Sequence, residues 1–190
     1  PTVTASSSPL SICLGNTATL SAFGAASYTW NPGGLTGSPV SVSPLSTTVY
    51  TVIGRNASGC SHTTTLSLTV NPLPLVTATS SPTLICIGSS ATLLGLGAAS
   101  YTWNPGGSTI NPLVVSPTVT TTYTVTGISG LGCLNTKTVS VSVSNPSVSI
   151  TASSSTLCLG STITLTGSGA STYTWNPGAL TGTTIVVTPT

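Results

Sequence analysis

Apolar and hydroxyl-bearing residues alternate along this chain in short runs, and that alternation is its dominant signal. Ala18, Leu20 and Ala22 are interleaved with Thr19 and Ser21. A period of two places the apolar set on one face of a strand and the hydroxyls on the other. The same run returns as Ala91, Leu93 and Gly95, and as Ile163, Leu165 and Gly167. Tyr28 and Trp30 flank Thr29 in a second strand, closed by the turn Asn31-Pro32-Gly33-Gly34. Val40 and Val42 make a short third (Leu113 and Val115; Ile185 and Val187). In Thr48–Gly54, Tyr50 and Val52 point inward, and Thr122–Gly127 repeats this with Tyr123 and Val125. Thr63–Val70 turns Leu66, Leu68 and Val70 inward, mirrored by Val139, Val141 and Val143. Thr2–Ala5 reads as an opening strand and Ser6–Pro9 as a turn. No segment has a helical period of useful length.

These strands are copies of one set. Ser-Tyr-Thr-Trp-Asn-Pro-Gly occurs at Ser27–Gly33 and Ser100–Gly106, and returns at Thr172–Gly178 with Thr in first place. Its tryptophans, Trp30, Trp103 and Trp175, stand 73 and 72 residues apart. A fixed period of this size marks a tandem array of one structural unit. The predicted units are residues 1–72, residues 73–146, and a partial third over residues 147–190 that contains only the first half of the pattern. Six or seven short strands per unit, with frequent turn signals, predict an all-β chain of antiparallel β-sandwiches, two complete and one partial. The predicted core is Trp30, Trp103 and Trp175 with Tyr28, Tyr101, Tyr173, Tyr50 and Tyr123. Asn71-Pro72-Leu73-Pro74 and Ser144-Asn145-Pro146-Ser147 form the junctions. Proline restricts its own φ and the residue before it, so a stiff, extended row is expected.

Composition narrows the function. The only charged side chains are Arg55 and Lys137, and there is no Asp, Glu or Met. An ordinary soluble domain is about 25% charged. Paired-carboxylate catalysis and carboxylate calcium sites therefore have no residues to use. Two basic residues cannot neutralise a useful number of phosphates, which argues against a nucleic-acid partner. No apolar run approaches the ~20 residues of a spanning helix, and the longest, Leu93–Ala99, is interrupted by two glycines. Insertion into a membrane is thus not expected. No basic and apolar leader opens the chain at Pro1, so a mature form, a fragment or an excerpt is expected. A surface this neutral tends to associate. It predicts either contact with copies of itself or a covering of covalent glycans on the Ser and Thr ladders.

The five cysteines follow the repeat. Cys13 and Cys60 are 47 residues apart, as are Cys86 and Cys133, and Cys158 matches Cys13 and Cys86. Pairing within each unit, Cys13 with Cys60 and Cys86 with Cys133, accounts for all five if the partner of Cys158 lies outside the chain. The alternative, Cys60 with Cys86 and Cys133 with Cys158, ties neighbouring units together and suits beads on a string badly. Disulfides of either kind imply an oxidising compartment, hence a secreted or cell-surface location.

Cys-x-Gly before an alternating strand, Tyr-Thr-Trp-Asn-Pro-Gly, Thr121–Gly127, Gly132-Cys133 and the final Thr-x-Val-x-Val together resemble the tandem Ig-like or PKD-like repeats of large secreted surface proteins of Bacteroidota. The resemblance covers essentially the whole chain. It implies export, by a type IX-like route, and a role in stalks, adhesins or filaments. Members usually carry acidic residues and this chain has none. The second cysteine also lies ten residues after Tyr50 or Tyr123, so the antibody disulfide topology is not implied.

The remaining chemical candidates have plainer readings. His62 is the only imidazole. A Cys60–His62 nucleophile pair is set against Asn135 at the matching position of the second unit, and an exposed strand-start residue is the expectation. One His and bridged cysteines do not make a metal site. Asn56-Ala57-Ser58 is an N-glycosylation sequon that also reads as a turn. The tryptophans could stack on sugars, but they stand in phase with inward tyrosines. The expectation is a non-enzymatic structural segment of an extracellular filament or stalk, with no cofactor. A carbohydrate-binding adhesin is the alternative.

Overall fold

The computed structural model describes residues 1–188. Its first repeat contains β1 (Thr4–Ser8), β2 (Ser11–Cys13), β3 (Ala18–Phe23), β4 (Ser27–Asn31), β5 (Leu35–Thr36), β6 (Val40–Val42), β7 (Thr48–Arg55) and β8 (Ser61–Asn71). One sheet has the order β1-β3-β6, the other β2-β8-β7-β4-β5. Repeat 2 contains β9 (Thr77–Ser81), β10 (Leu84–Cys86), β11 (Ala91–Leu96), β12 (Ser100–Asn104), β13 (Leu113–Val115), β14 (Thr121–Ile128) and β15 (Leu134–Ser144). It forms sheets β13-β11-β9 and β10-β15-β14-β12. Two facing sheets, with the first segment shared between them, make an Ig-like sandwich, so the chain is an all-β tandem of such sandwiches.

Two local expectations are revised. Ser6–Ser8 continue β1 as a strand, paired with Ser21–Thr19, where the Ser cluster reads as a turn. Pairing with β3 overrides the weak local preference of serine. In addition, β2 runs parallel to β8, and β10 parallel to β15. The segment leaves the first sheet after Pro9 and joins the edge of the second, where a strand that has just reversed sheets meets the last strand in parallel.

Each complete repeat packs around its tryptophan. Trp30 and Trp103 are fully buried, Trp30 against Leu20, Val52 and Leu68 and Trp103 against Leu93, Val125 and Val141. Tyr50 and Tyr123 are buried in the same two clusters. That burial pushes both phenol pKa values above the ordinary tyrosine range. Tyr28 and Tyr101 are half-buried and do a second job. The Ala25 N–H donates to the Tyr28 hydroxyl at 2.8 Å, which donates back to the Ala25 carbonyl at 3.0 Å. Tyr101 holds Ala98 in the same way. This clasp sits beside Gly24 and Gly97, which have positive φ and lie so close to the carbonyls of Thr2 and Leu75 that a Cβ would overlap them. Only glycine can turn the chain there.

Repeat 3 contains β16 (Ser149–Ala152), β17 (Ile163–Ser168), β18 (Thr174–Trp175), β19 (Leu180–Thr181) and β20 (Thr184–Val187). Its sheet β16-β17-β20 copies β1-β3-β6. Among the described residues no strand pairs with the other edge of β18, where β7 pairs with β4 in repeat 1. A cavity of about 390 Å³ lined by Leu165, Trp175, Ile185 and Val187 opens there.

Candidate functional site

The chemistry-bearing feature is the junction between repeats 1 and 2. Cys13 ends β2 and stands beside Asn71, the last residue of β8. Cys60 directly precedes Ser61, the first residue of β8. The two cysteines of one repeat therefore lie at opposite poles of the sandwich. Eleven strand residues separate them, which at about 3.3 Å per residue is roughly 35 Å. Repeat 2 is built alike: Cys86 pairs beside Ser144 at the end of β15, and Cys133 precedes its start at Leu134.

This geometry overturns the pairing expected within units. Neither Cys13–Cys60 nor Cys86–Cys133 can form, because bridged Cα atoms lie within about 7 Å. The structure instead joins Cys13 to Cys133, with Cα atoms 5.5 Å apart and a sequence separation of 120. Cys13 occupies the far pole of repeat 1 and Cys133 the near pole of repeat 2, and the short linker brings these poles together. Cys60, Cys86 and Cys158 are unbridged and exposed among the described residues. The alternative pairs, Cys60–Cys86 and Cys133–Cys158, are not formed either. The bridge spans two units through a pair that belongs to neither expected set.

The residues around the bridge are set by the turns that present it. Cys133 lies in the turn between β14 and β15. The Ser129 N–H donates to the Cys133 carbonyl at 2.9 Å, and the Cys133 N–H donates to Ser129 Oγ at 3.1 Å. Asn56 has the corresponding place in repeat 1. Its N–H donates to the Cys60 carbonyl at 3.0 Å, and its Oδ1 accepts from the Cys60 N–H at 2.9 Å. The sequon asparagine is thus a turn-forming residue in this structure. His62 and Asn135 likewise match. His62 Nδ1 accepts from the Val3 N–H at 3.2 Å, and Asn135 Nδ2 donates to the Pro74 carbonyl at 2.9 Å. Both tie the incoming chain to the near pole of their sandwich. His62 is exposed, with its ring engaged by backbone.

An open groove of about 500 Å³ lies beside the bridge, lined in part by Pro72, Leu73, Pro74, Ala98, Gly130 and Leu131. It carries no titratable side chain. No group of three or more His, Cys, Asp or Glu that could hold a metal occurs among the described residues. No helix among them is long and apolar enough to cross a membrane.

No family model and no curated protein matches the chain. Several solved structures resemble it. An amphioxus IgVJ-C2 molecule is 19% identical, with 70% of this chain and 99% of that one covered and a TM-score of 0.32. A Ca2+-stabilized adhesin with which an Antarctic bacterium binds ice is 17% identical, covering 99% of this chain and 63% of that one, at 0.42. Fibronectin(III)-like modules of CbhA from Clostridium thermocellum are 10% identical, covering 76% and 95%, at 0.37.

Proposed function

We propose that this chain is a segment of an extracellular filament or stalk, a structural array of Ig-like sandwiches without enzymatic activity. The observation that carries the reading is the Cys13–Cys133 bridge. A bond that closes on one sandwich stabilises that sandwich, whereas one that spans a junction resists separation of neighbours under load. Residues 1–72, 73–146 and 147–190 are read as the successive beads. The hydroxyl-rich, nearly uncharged surface supports association with copies of the chain, or a coat of O-linked glycans. The disulfide supports an oxidising, secreted or cell-surface location. The motif resemblance to surface repeats of Bacteroidota supports the same placement and suggests the lineage. Electron microscopy of native material, together with intact mass, tests this. Stalks or filaments containing the chain are the expected result. A dispersed, compact monomer with a hydrolytic or transfer activity would overturn it.

The second reading is an adhesin. The open groove at the junction favours it, because apolar Leu73 and Leu131 there are within reach of a ligand. Saturable glycan binding lost on Leu131→Ser would support this reading against the purely structural one.

A further inference from the structure

The bridge also decides which part of the chain is stretched when the array is pulled. Val3 lies at the near pole of repeat 1, where its N–H donates to His62 Nδ1. Cys13 lies at the far pole, beside Asn71. Between them the chain runs the length of the sandwich as β1 and β2. Those ten residue steps reach at most about 35 Å, and His62 to Asn71 of β8 covers roughly 30 Å of the same span. The segment is therefore already drawn out, with almost no slack. In repeat 2 the chain leaves the bridge at Cys133 and enters β15, an extended strand of 11 residues that ends at the far pole with Ser144. Two drawn-out segments thus meet at one bond, with 5.5 Å between its Cα atoms. The chain between the bonded cysteines, which stand 120 apart in sequence, is a closed loop beside this path. That loop contains β3–β8 and β9–β14, hence the buried Trp30 and Trp103.

We propose that the Cys13–Cys133 bridge is a load-bearing shunt. It passes tension from β1 and β2 of repeat 1 straight into β15 of repeat 2, and both sandwich cores stay out of the path. The inference rests on the reading of the chain as a stalk or filament segment and says how that segment bears load. It holds for any pull applied upstream of Val3 and downstream of Ser144, whatever adjoins them. Covalent bonds, and not packing, then set the length of this segment under tension. The hydrogen bonds of β1 to β3 lie across the direction of pull, so they are sheared together and not opened one by one. The device is redox-sensitive. Reduction adds two electrons and two protons to the bridge and gives two thiols, while a dithiol reductant such as dithiothreitol closes to its own disulfide. Tension must then pass through residues 14–132, which only folding holds together. The segment becomes extensible by about 400 Å, at about 3.5 Å per residue.

The test stretches the whole chain between handles at its two ends in an optical trap, without and with dithiothreitol. With reductant, repeats 1 and 2 should each open in a step of about 200 Å. Without it those two steps should vanish, the two repeats together should lengthen by no more than about 20 Å, and the fully stretched chain should be about 400 Å shorter. Residues 145–190 lie outside the bridge and contribute equally to both traces. Cys13→Ser in oxidising buffer should reproduce the reduced length, and its fully stretched length does not depend on whether the variant folds. Three results would each overturn the proposal. One is equal lengths with and without reductant. Another is a shortening of only about 160 Å, the mark of a Cys13–Cys60 bond. The third is a bridged chain whose first two repeats lengthen by more than about 20 Å, which would mean that β1, β2 and β15 are not taut. Imaging of native material is a separate readout: filaments without the shunt refute this inference alone, and the shunt in a chain that forms no filament refutes only the reading it rests on.

Discussion

Repeats 1 and 2 have the same strands around the same tryptophan, yet they satisfy that tryptophan differently. The Trp30 Nε1–H donates to the Gly37 carbonyl at 3.1 Å, and the Trp175 Nε1–H to the Gly182 carbonyl at 2.9 Å. Trp103 Nε1 is buried with no partner among the described residues. The cause is one residue. Gly37 and Gly182 have φ of +97° and +125°, and the matching position of repeat 2 is Ile110. A β-branched residue disfavours that left-handed conformation. The small strand β5, which Gly37 terminates by donating to the Tyr28 carbonyl at 3.0 Å, is then reduced in repeat 2 to a single bridge between Trp103 and Ser108. One residue later the two repeats agree again. Asn111 holds both backbone groups of Gly95 at 2.8 Å, a role Ser38 performs at Ala22 in repeat 1 at 2.7 and 2.9 Å. The fold thus tolerates loss of an element at its edge while the central packing stays the same. Repeat 1 has its own orphan, Ser7 Oγ, whose counterpart Ser80 reaches the Ser140 carbonyl at 3.4 Å.

The largest expected effect is removal of either indole. Trp30→Ala and Trp103→Ala should each cost about 3–5 kcal/mol. The Trp30 change should cost more, by about 1 kcal/mol, because it also abandons a hydrogen bond. Denaturant unfolding, with hydrogen exchange to assign the repeat, checks both. Equal losses would mean that the indole bond contributes nothing. The next change exchanges the residues that differ. Gly37→Ile should destabilise repeat 1 by about 2 kcal/mol, while Ile110→Gly should leave repeat 2 unchanged or stabilise it by up to about 1 kcal/mol, after the entropic cost of glycine. Smaller still is Ser7→Ala, which removes an unpaired hydroxyl and should be neutral or stabilising by under about 1 kcal/mol.

Alkaline pH should affect both repeats alike. Tyr50 and Tyr123 have pKa values raised by burial, so the folded state holds their protons more tightly than the unfolded chain does. Their contribution to stability is complete below about pH 10 and is lost as pH rises through the raised folded values. Tyr50→Phe and Tyr123→Phe should each flatten that loss in their own repeat, read as the midpoint of denaturant unfolding against pH. On the acid side the chain has no carboxylate side chain to protonate, and the usual cause of acid unfolding is missing.

Much of this fold was legible in the residues. Alternation located β3, β4, β7 and β8, and the 73- and 72-residue steps between tryptophans made one sandwich stand for all. The clasp made by Tyr28 was not legible, since nothing in a period of two tells a core ring from one that also grips a turn. Cysteine pairing was misread for a definite reason. A constant spacing of 47 residues shows that Cys13 and Cys60 belong to the same unit, but says nothing of distance when a full-length strand lies between them. Locating each cysteine on a pole of the sandwich was the missing step. Cys13 ends a strand, Cys60 opens one, and β2 lies parallel to β8.

The central claim is that sulfur joins neighbouring sandwiches and does not clasp a single one. Chymotryptic and tryptic mapping of the unreduced, alkylated chain tests it most directly. Cleavage after Tyr101 separates Cys60 from Cys133, and cleavage after Lys137 separates Cys133 from Cys158. The account predicts that the Cys13 peptide remains attached to the Cys133 peptide until reductant is added. A Cys13 peptide attached to that of Cys60 would contradict it.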